Sequence, residues 1–454
     1  MAWPYGQPPP RLSGCPARSG GVWACGLPIK ISPCALPVLV AGLRCFYSLP
    51  VMPQATAPAL KRSHVLLWLS GLAGAVALLA LDTLQHQRLT PAPPAAQAAQ
   101  AVQAAQAVQA AQASFPLVGP LRLLASGALP MPPNTPSAHA SSLLAMPGGH
   151  AAAVMAFWFA GARESAPDVQ IAASQFDRAS GSWSPARFVL DRHDLGAALG
   201  FAVRRLGNPV AWLDPQGRIN LFVVATGLGG WAASRIVHLR QRGGSDLAQL
   251  SFAPVQVLPL GWFWNTSFLV RNAPLPLADG GMLLPVHFEL GIKYPMALRF
   301  DGQGRYLGPQ RISARRHVLQ PALLPLGPAH WLALMRDQRP EGRVVLAQTL
   351  DGGRSWQDAP DLALPNPDAA VAVLTLPTGQ QLLAHNPLQR GRHGLALSQA
   401  SDGQHWTQAL VLVQSTPGAE FSYPALAWAD ESLWVSYTDQ RRQIAWQRLA
   451  LAAP

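Results

Sequence analysis

The chain has 454 residues, a formal net charge of +12, 12% charged residues and 49% hydrophobic residues. This composition excludes a chain that is disordered throughout. The 44 prolines disfavour a long helical protein, because proline interrupts helices. The basic residues are almost all arginines and are not clustered on one segment, so we expect no nucleic-acid partner.

The first 51 residues differ in composition from everything that follows. They hold all four cysteines and no aspartate or glutamate, and the cysteine spacings of 10, 9 and 11 fit no zinc pattern. We expect residues 1–51 to be unstructured. From Met52 onward the sequence has the layout of an export signal, so we hypothesise that translation begins there. N-terminal sequencing of the native product tests this, and peptides from residues 1–51 would contradict it.

Residues 52–84 have the pattern of a signal anchor. Lys61 and Arg62 precede an apolar run over residues 65–81, which is close to the lower length limit for crossing a bilayer. Positive charge on the N-terminal side places that side in the cytoplasm. A cleaved signal peptide needs small residues before the cleavage site, and residues 79–82 supply them poorly. The sequence therefore predicts a transmembrane helix over residues 65–81 in a bacterial inner membrane, with the remainder exported.

The amino-acid composition changes twice after the anchor. Residues 85–114 are rich in Ala, Gln and Pro and too poor in large apolar residues to build a core, which predicts a linker. From residue 115 to residue 454, short apolar stretches alternate with Gly, Pro, Asn and Asp. This pattern is typical of an all-β domain.

The β domain contains an internal repeat of two apolar strands joined by a tight turn. The six units start at residues 141, 208, 265, 320, 371 and 423. Six units of about fifty residues, each with several strands, predict a six-bladed β-propeller. The last unit contains only three segments with a strand-like sequence. We therefore expect residues 120–128 to supply the fourth strand and close the ring.

A second marker runs in phase with the repeat. It is TLDGGRSW at residues 349–356, ASDGQHW at 400–406 and the degenerate SQFDRASGSW at 174–183. Asp and Gly favour the turn between outer strands, and Trp covers the edge of the blade. These residues are predicted to be structural.

Such Asp-box turns in a six-unit β chain resemble those of the sialidase (neuraminidase) superfamily of the BNR-repeat type, over residues 115–450. The resemblance implies a glycan substrate and no cofactor. It also implies a clamp of three arginines for the substrate carboxylate, a tyrosine nucleophile, a glutamate that takes the tyrosine proton, and an aspartate acid/base.

Several residues stand where the family has its functional groups. The resemblance makes Asp168 the acid/base, with Arg163 before it in the same segment, and Tyr423 the nucleophile. It makes Arg336 and Arg392 the second and third clamp arginines. Glu164 is a weaker candidate in the segment of Arg163 and Asp168, and Arg390 is the alternative to Arg392.

Three positions depart from the family pattern. His139 stands near the place of the first clamp arginine, Gln320 in place of the glutamate base, and Thr438 where a closing glutamate is expected. A neutral histidine cannot form the bidentate contact of a guanidinium, and glutamine cannot accept a proton. We therefore predict very weak or absent activity on ordinary sialosides.

The third unit offers a substitute set of groups. In PVHFELGIKYP, His287 and Glu289 share one strand face and Lys293 follows, which together form a reasonable acid/base set. Asn265 opens the same unit and is expected to line the channel. No metal site is predicted, because the histidines lack ligand spacing and no cysteine remains in the domain.

The sequence thus predicts an exported, membrane-tethered, sialidase-like glycoside hydrolase that acts on terminal, acidic sugars of glycans. Two alternatives stay open at this point. One is a propeller that binds carbohydrate without catalysis. The other is a glycan lyase on the same scaffold, with His287 or Tyr423 as the base.

Overall fold

A computed structural model describes residues 62–87 and 121–451 of the chain. The predictions for residues 1–51, for a start at Met52 and for nearly all of the linker 85–114 lie outside the described residues. The first range is a single helix, α1 (Arg62–Gln87), which covers the predicted apolar run 65–81 and extends beyond both of its ends. Among the residues that are described, no helix is both long and apolar enough to cross a membrane.

The second range forms six antiparallel sheets, which confirms the predicted all-β, six-bladed propeller. The first strand of the range is β1 (Leu121–Ala128). Blade 1 contains β2 (Ser137–Ala145), β3 (Ala152–Gly161), β4 (Gln170–Asp177), β5 (Ser182–Trp183) and β6 (Arg187–Leu190). Blade 2 contains β7 (Arg205–Leu213), β8 (Ile219–Thr226), β9 (Ser234–Arg242) and β10 (Ser251–Val257). Blade 3 contains β11 (Phe268–Val270), β12 (Leu275–Pro276), β13 (Met282–Phe288), β14 (Tyr294–Phe300) and β15 (Tyr306–Arg311).

The remaining blades follow in chain order. Blade 4 contains β16 (Val318–Pro325), β17 (Trp331–Asp337), β18 (Val345–Thr349) and β19 (Gln357–Asp358). Blade 5 contains β20 (Ala372–Thr375), β21 (Gln381–His385), β22 (Gly394–Ala400) and β23 (Thr407–Gln414). Blade 6 contains β24 (Phe421–Ala429), β25 (Ser432–Asp439) and β26 (Gln443–Leu451). Two short helices lie in the connections, α2 (Arg192–Leu199) and a 3-10 turn (Gly230–Ala233).

The ring closes as predicted. β1 pairs antiparallel with β26, with Leu121 opposite Leu451 and Ala128 opposite Ala445. Blade 6 is therefore built from both ends of the propeller sequence. Closure by an N-terminal strand removes an exposed strand edge and ties the first and last blades together.

Burial decreases from the second strand of a blade to its outer strand. In blade 1, all ten residues of β3 are buried, because both faces of this strand pack against neighbouring blades. In blade 6, the outer strand β1 is exposed at seven of its eight positions, whereas the second strand β25 is buried at seven of eight. This gradient explains why the inner strands appear in the sequence as continuous apolar runs.

The Asp boxes lie in the turns between third and fourth strands. Asp351 Oδ1 accepts hydrogen bonds from the backbone N–H groups of Arg354 and Ser355, each at 2.9 Å, and Trp356 is buried in the adjacent core. Asp402 and Asp177 accept similar backbone bonds in blades 5 and 1. Asp301 makes a fourth such turn between β14 and β15. Tyr306 stands here where the marker has tryptophan, so the marker does not include this turn.

The inner strand of every blade carries a residue other than glycine with a left-handed backbone near its start. These residues have φ between 44° and 69° and are Ala140, Asn208, Ser267, Gln320, Asp368 and Tyr423. In blades 1, 2, 4 and 6 the strand pairing shifts register at this point, which marks a β-bulge. Bulges re-aim side chains and are common beside functional sites. We call the end of the ring where the inner strands begin the entry end, and the opposite end, which holds the Asp boxes, the Asp-box end.

Candidate functional site

Tyr423 is the centre of a polar cluster at the entry end. Its side chain is buried at the start of β24. The His139 ring meets the tyrosine ring edge-on with centroids 4.4 Å apart, and the Arg271 guanidinium carbon lies 5.0 Å from the centre of the same ring. Gln320 Nε2 lies 3.4 Å from the phenol oxygen. Side chains from blades 1, 3 and 4 therefore converge on one tyrosine of blade 6.

Gln320 connects this tyrosine to Arg336. Gln320 Oε1 accepts a hydrogen bond from Arg336 Nη1 at 3.1 Å, and its Nε2 donates to Tyr423 Oη. The arginine therefore fixes the orientation of the amide, because a guanidinium can only donate. The phenol oxygen faces an NH₂ group where the family resemblance implies a carboxylate. Gln320 can hold the tyrosine in place but cannot take its proton.

Arg336 is a buried cation with a carboxylate partner. Its Nε donates to Asp368 Oδ1 at 2.6 Å. Burial alone would lower the pKa of Arg336, but Tyr423, Asp368 and Glu289 outweigh burial and raise it. The guanidinium therefore keeps its charge. The sequence analysis missed Asp368, whose only signal was its place at the start of the fifth inner strand.

Arg392 shares the carboxylate of Glu420 with Arg441. Arg392 Nη1 lies 3.2 Å from Glu420 Oε1, and Arg441 donates to the same group through Nε at 2.7 Å and Nη2 at 3.0 Å. Burial lowers the pKa of Arg441. The rival Arg390 instead pairs with Glu341 on the exposed surface. Arg392, and not Arg390, is therefore the arginine of this segment that joins the cluster.

His139 is buried among arginines. Burial, and then the charges of Arg441, Arg271 and Arg392, hold its pKa well below the usual range. The imidazole is therefore neutral at physiological pH. It contacts Phe159 as well as Tyr423. Near the place where the family resemblance implies the first clamp arginine, the structure therefore has an aromatic ring that carries no charge.

Arg271 is a buried arginine that the sequence analysis did not single out. It follows β11 in blade 3, and its Nη1 and Nη2 donate to the carbonyls of Ser141 at 3.2 Å and Pro424 at 2.9 Å. Burial lowers the pKa of Arg271 to about 10. These carbonyls belong to the bulges that carry His139 and Tyr423. The guanidinium thus links three blades beneath the cluster. A charged residue directly after an apolar strand (FLVRN) was the available signal.

The substitute set of the third unit borders the same cluster. His287 is buried at the end of β13, and its Nε2 lies 3.4 Å from Glu289 Oε2. Burial alone would raise the pKa of Glu289, but His287, Arg336 and Lys293 together lower it. Glu289 is therefore ionised at neutral pH. Its interaction with Arg336 connects blade 3 to the tyrosine centre.

Asp168 and Arg163 lie on the loop between β3 and β4, at the entry end, and both are exposed. Asp168 Oδ2 accepts a hydrogen bond from the Ala162 backbone N–H at 2.8 Å, so its carboxylate faces its own loop. Glu164 of the same loop pairs with Arg441. The loop is thereby tied to the cluster through Glu164, whereas the carboxylate of Asp168 bonds within its own loop.

The cluster contains four guanidinium groups and four carboxylates, namely Arg271, Arg336, Arg392 and Arg441 with Glu164, Glu289, Asp368 and Glu420, and Lys293 adds a cation near Glu289. Arg336, Arg392 and Arg441 already interact with carboxylates, so an anionic ligand at one of them must share the guanidinium or displace its partner. Arg271 instead bonds to two backbone carbonyls. Within residues 62–87 and 121–451, no group of three His, Cys, Asp or Glu side chains could hold a metal ion.

The comparisons with known proteins agree with this architecture. The model of the BNR repeat-like domain matches residues 152–435, which is more than half of the chain. A Hadza microbial sialidase superposes with a TM-score of 0.56 at 15% identity, covering 69% of this chain and 66% of that one. The Trypanosoma rangeli sialidase gives a TM-score of 0.54 at 13% identity, with 69% and 54% covered.

A protein of unknown function from Dyadobacter fermentans superposes over almost its whole length. The TM-score is 0.57 at 14% identity, and the match covers 73% of this chain and 99% of that one. By contrast, the chain spans only about half to two-thirds of the two sialidases. No curated protein matches the sequence. At these identities the solved structures show the fold alone, which is the sialidase-type propeller, and the domain match shows that the chain belongs to the BNR repeat-like family.

Proposed function

We propose that the protein is a sialidase-like glycoside hydrolase that acts on terminal, acidic sugars of glycans. The observation that carries the proposal is Tyr423, buried and held by Gln320 and Arg336 within an arginine-rich cluster at the entry end. A tyrosine nucleophile suits a sugar with a carboxylate at the anomeric carbon, because a carboxylate nucleophile would be repelled. Arg336 and Arg392 supply the cations for that carboxylate.

The proposed reaction has two displacements at the anomeric carbon. The phenol oxygen of Tyr423 attacks this carbon and releases its proton to solvent water, while the glycosidic C–O bond breaks and Asp168 protonates the departing oxygen. Water then attacks the same carbon and gives a proton to Asp168, and the bond to Tyr423 breaks as the phenolate takes a proton back from solvent. Glu289 lies near Arg336 as a second ionised carboxylate. Since Gln320 cannot accept the phenol proton, we expect turnover to be about 10²- to 10⁴-fold slower than with a glutamate there.

The same glutamine favours one competing function, a propeller that binds an acidic glycan without cleaving it. In that case the cluster positions the ligand and Tyr423 contributes a ring face and a hydroxyl group. Both functions use the same site and differ only in whether a bond breaks. Hydrolysis and binding must therefore be measured on the same preparation.

The experiment uses the full chain in detergent, a panel of aryl glycosides that includes a sialoside, and the substitution Gln320→Glu. We expect weak hydrolysis by the wild type and an increase of about 10²-fold or more in the variant. Gln357→Glu, at an exposed position of the same blade, is the matched control and should change nothing. Glycan binding without hydrolysis in both Gln320 forms would favour the binding function. We do not combine the change with His139→Arg, because Arg271, Arg392 and Arg441 already surround that position.

We further propose that the propeller is exported and tethered through residues 65–81, with a bacterial inner membrane as its location. The support is the pair Lys61 and Arg62 before an apolar run, and the Ala-, Gln- and Pro-rich linker over residues 85–114 that separates this run from the propeller. Protease digestion of intact and of permeabilised spheroplasts tests this. Degradation of the propeller in intact spheroplasts is expected, and protection until permeabilisation would contradict export.

A further inference from the structure

The entry end of blades 2 and 3 carries a patch of exposed apolar side chains. The patch consists of five residues on three neighbouring loops, each between 40% and 81% exposed: Leu228, Trp262, Phe263, Trp264 and Leu290. The other large apolar side chains exposed on the described propeller lie singly or in pairs on outer strands, such as Leu307 on β15. Three consecutive exposed aromatic residues beside further leucines mark a surface that meets an apolar partner.

The loop that carries the three aromatic residues is held in a defined shape. Asn265 Oδ1 accepts hydrogen bonds from the N–H groups of Leu260 at 2.9 Å and Gly261 at 3.3 Å, and its Nδ2 donates to the Leu258 carbonyl at 2.9 Å. Leu258 and Leu260 are buried beneath the loop. Asn265, which the sequence predicts to line the channel, thus uses its side-chain amide to organise this loop. The aromatic side chains project outward from a loop in which the N–H groups of Leu260 and Gly261 already have hydrogen-bond partners.

The helix α1 lies against the same loop. Asp82 is buried, and a Cβ atom placed on Gly261 would lie 3.2 Å from Asp82 Oδ2. Asp82 also raises the pKa of Tyr294 in blade 3, although burial is the larger cause. The preceding turns of the helix expose Leu72, Val76 and other apolar side chains to solvent. The apolar surface therefore continues from the helix to the aromatic loop.

We propose that this patch lies in the interfacial layer of a lipid bilayer and turns the entry end of the propeller toward the membrane surface. Tryptophan prefers this layer, because its ring is apolar and its N–H group is polar. The adjacent helix α1 also exposes large apolar side chains, among them Trp68, Leu72 and Val76, and is the second element that fits contact with lipid. If the proposed glycosidase function holds, on which this consequence rests, the substrate class is the head group of a membrane-embedded glycolipid.

The test measures the depth of single labels in the full chain. The four native cysteines are changed to serine, and an environment-sensitive fluorophore is attached at Phe263→Cys, in nanodiscs of phosphatidylcholine and phosphatidylglycerol that hold one copy each. We expect doxyl-labelled lipid to remove most of the fluorescence at position 263. Leu307→Cys is the matched control, an exposed apolar position on the outer strand of the same blade, and should lose little.

Each other outcome overturns the proposal in a distinguishable way. Quenching at position 263 no greater than at position 307 shows that the patch is outside the lipid. If a third label at Leu72→Cys is quenched and the label at 263 is not, the helix is in the membrane and the patch is outside it. A label at 263 that is shielded from water but unquenched by lipid shows that protein covers the patch. Hydrolysis is not measured here, so failure of the glycosidase function is tested separately.

Discussion

The two ends of the propeller treat charged side chains in opposite ways. At the Asp-box end, Asp351 and Asp402 bond to backbone groups of their own turns, two to four residues away in sequence. At the entry end, Arg271 and Arg336 are buried and reach other blades, through Pro424 and Asp368. The contrast shows that the Asp boxes use charge to close local turns, although Arg178 at the same end also bonds to Asp430 of blade 6. The other end gathers charge from distant parts of the chain around one tyrosine.

This difference decides which residues tolerate change. A turn aspartate that is lost leaves backbone N–H groups that water can reach, because the turns are partly exposed. A cluster arginine that is lost leaves buried carbonyls or carboxylates without a partner, which costs more free energy. Function is expected at the entry end for the same reason, because buried, mutually constrained polar groups are pre-organised for a ligand.

The largest expected effect is on catalysis. Tyr423→Phe removes the proposed nucleophile and should lower glycoside hydrolysis by on the order of 10³-fold or more. Tyr437→Phe is the matched control, since Tyr437 is a buried tyrosine on the neighbouring strand β25. Initial rates with the same aryl glycoside check the prediction. Equal rates for Tyr423→Phe and wild type would show that the reaction does not take place at the cluster around Tyr423.

The next effect is on stability. Arg271→Met keeps the apolar stem but removes two charge-assisted hydrogen bonds to buried carbonyls, so we expect the free energy of unfolding to fall by about 3 kcal/mol. Arg354→Met, at an exposed position of an Asp box, should change it by less than about 0.5 kcal/mol. Urea unfolding of both variants makes the comparison. Similar losses of unfolding free energy in Arg271→Met and Arg354→Met would show that arginines at the two ends of the propeller contribute equally to stability.

Buried histidines give the entry end a pH dependence. Burial and three arginines lower the pKa of His139 in the folded state, so the unfolded chain binds the proton first as the pH falls below about 6.5. Its contribution to stability is therefore complete above that pH and is lost on acidification. His139→Leu should reduce the acid slope of the unfolding free energy by about 1.4 kcal/mol per pH unit between pH 6 and 5.

The exposed His405 at the Asp-box end is the control for this slope. Its bond to Asp402 raises the pKa of His405, so the sign is opposite: its contribution is present below the unfolded pKa and is lost as the pH rises. His405→Ala should therefore leave the acid slope unreduced. An unchanged slope in His139→Leu would show that His139 is protonated in the folded protein.

The smallest effect belongs to the turns themselves. Asp351→Ala removes bonds to the N–H groups of Arg354 and Ser355 and to the Ser355 hydroxyl. Because the turn is partly open to water, we expect a loss of about 1 kcal/mol and unchanged hydrolysis. Thermal melts and initial rates check both parts. A loss of activity would show that the two ends are coupled.

The comparison also explains what the sequence could predict. Local patterns that repeat along the sequence are enough to predict the six units, the Asp boxes and the closing strand over residues 120–128. The cluster joins residues that are far apart: Gln320 bonds to Tyr423 over 103 positions, Arg271 to Pro424 over 153, and Ala140 to Thr438 over 298. Periodicity carries no signal for such pairs. Family resemblance supplied Arg336, Arg392 and Tyr423 as candidates.

Resemblance could not supply the groups that are particular to this chain. Arg271 lies outside the implied clamp, and Glu420 with Arg441 forms a carboxylate bridge to Arg392 that no single segment indicates. Asp368, whose backbone is left-handed just before β20, bonds to Arg336 of the neighbouring blade. These residues follow from packing of the six blades against one another, and packing becomes visible only in three dimensions.

In the proposed reaction Tyr423 is the reacting residue, and Gln320 limits its rate because it cannot accept the phenol proton. The most direct measurement is the intact mass of the full chain after incubation with a fluorinated acidic glycoside that traps the covalent intermediate. We expect an adduct in Gln320→Glu that forms faster than in wild type, localises to the peptide containing Tyr423 and is absent from the double variant Gln320→Glu, Tyr423→Phe. An adduct on any other residue, or none in Gln320→Glu, would contradict the account.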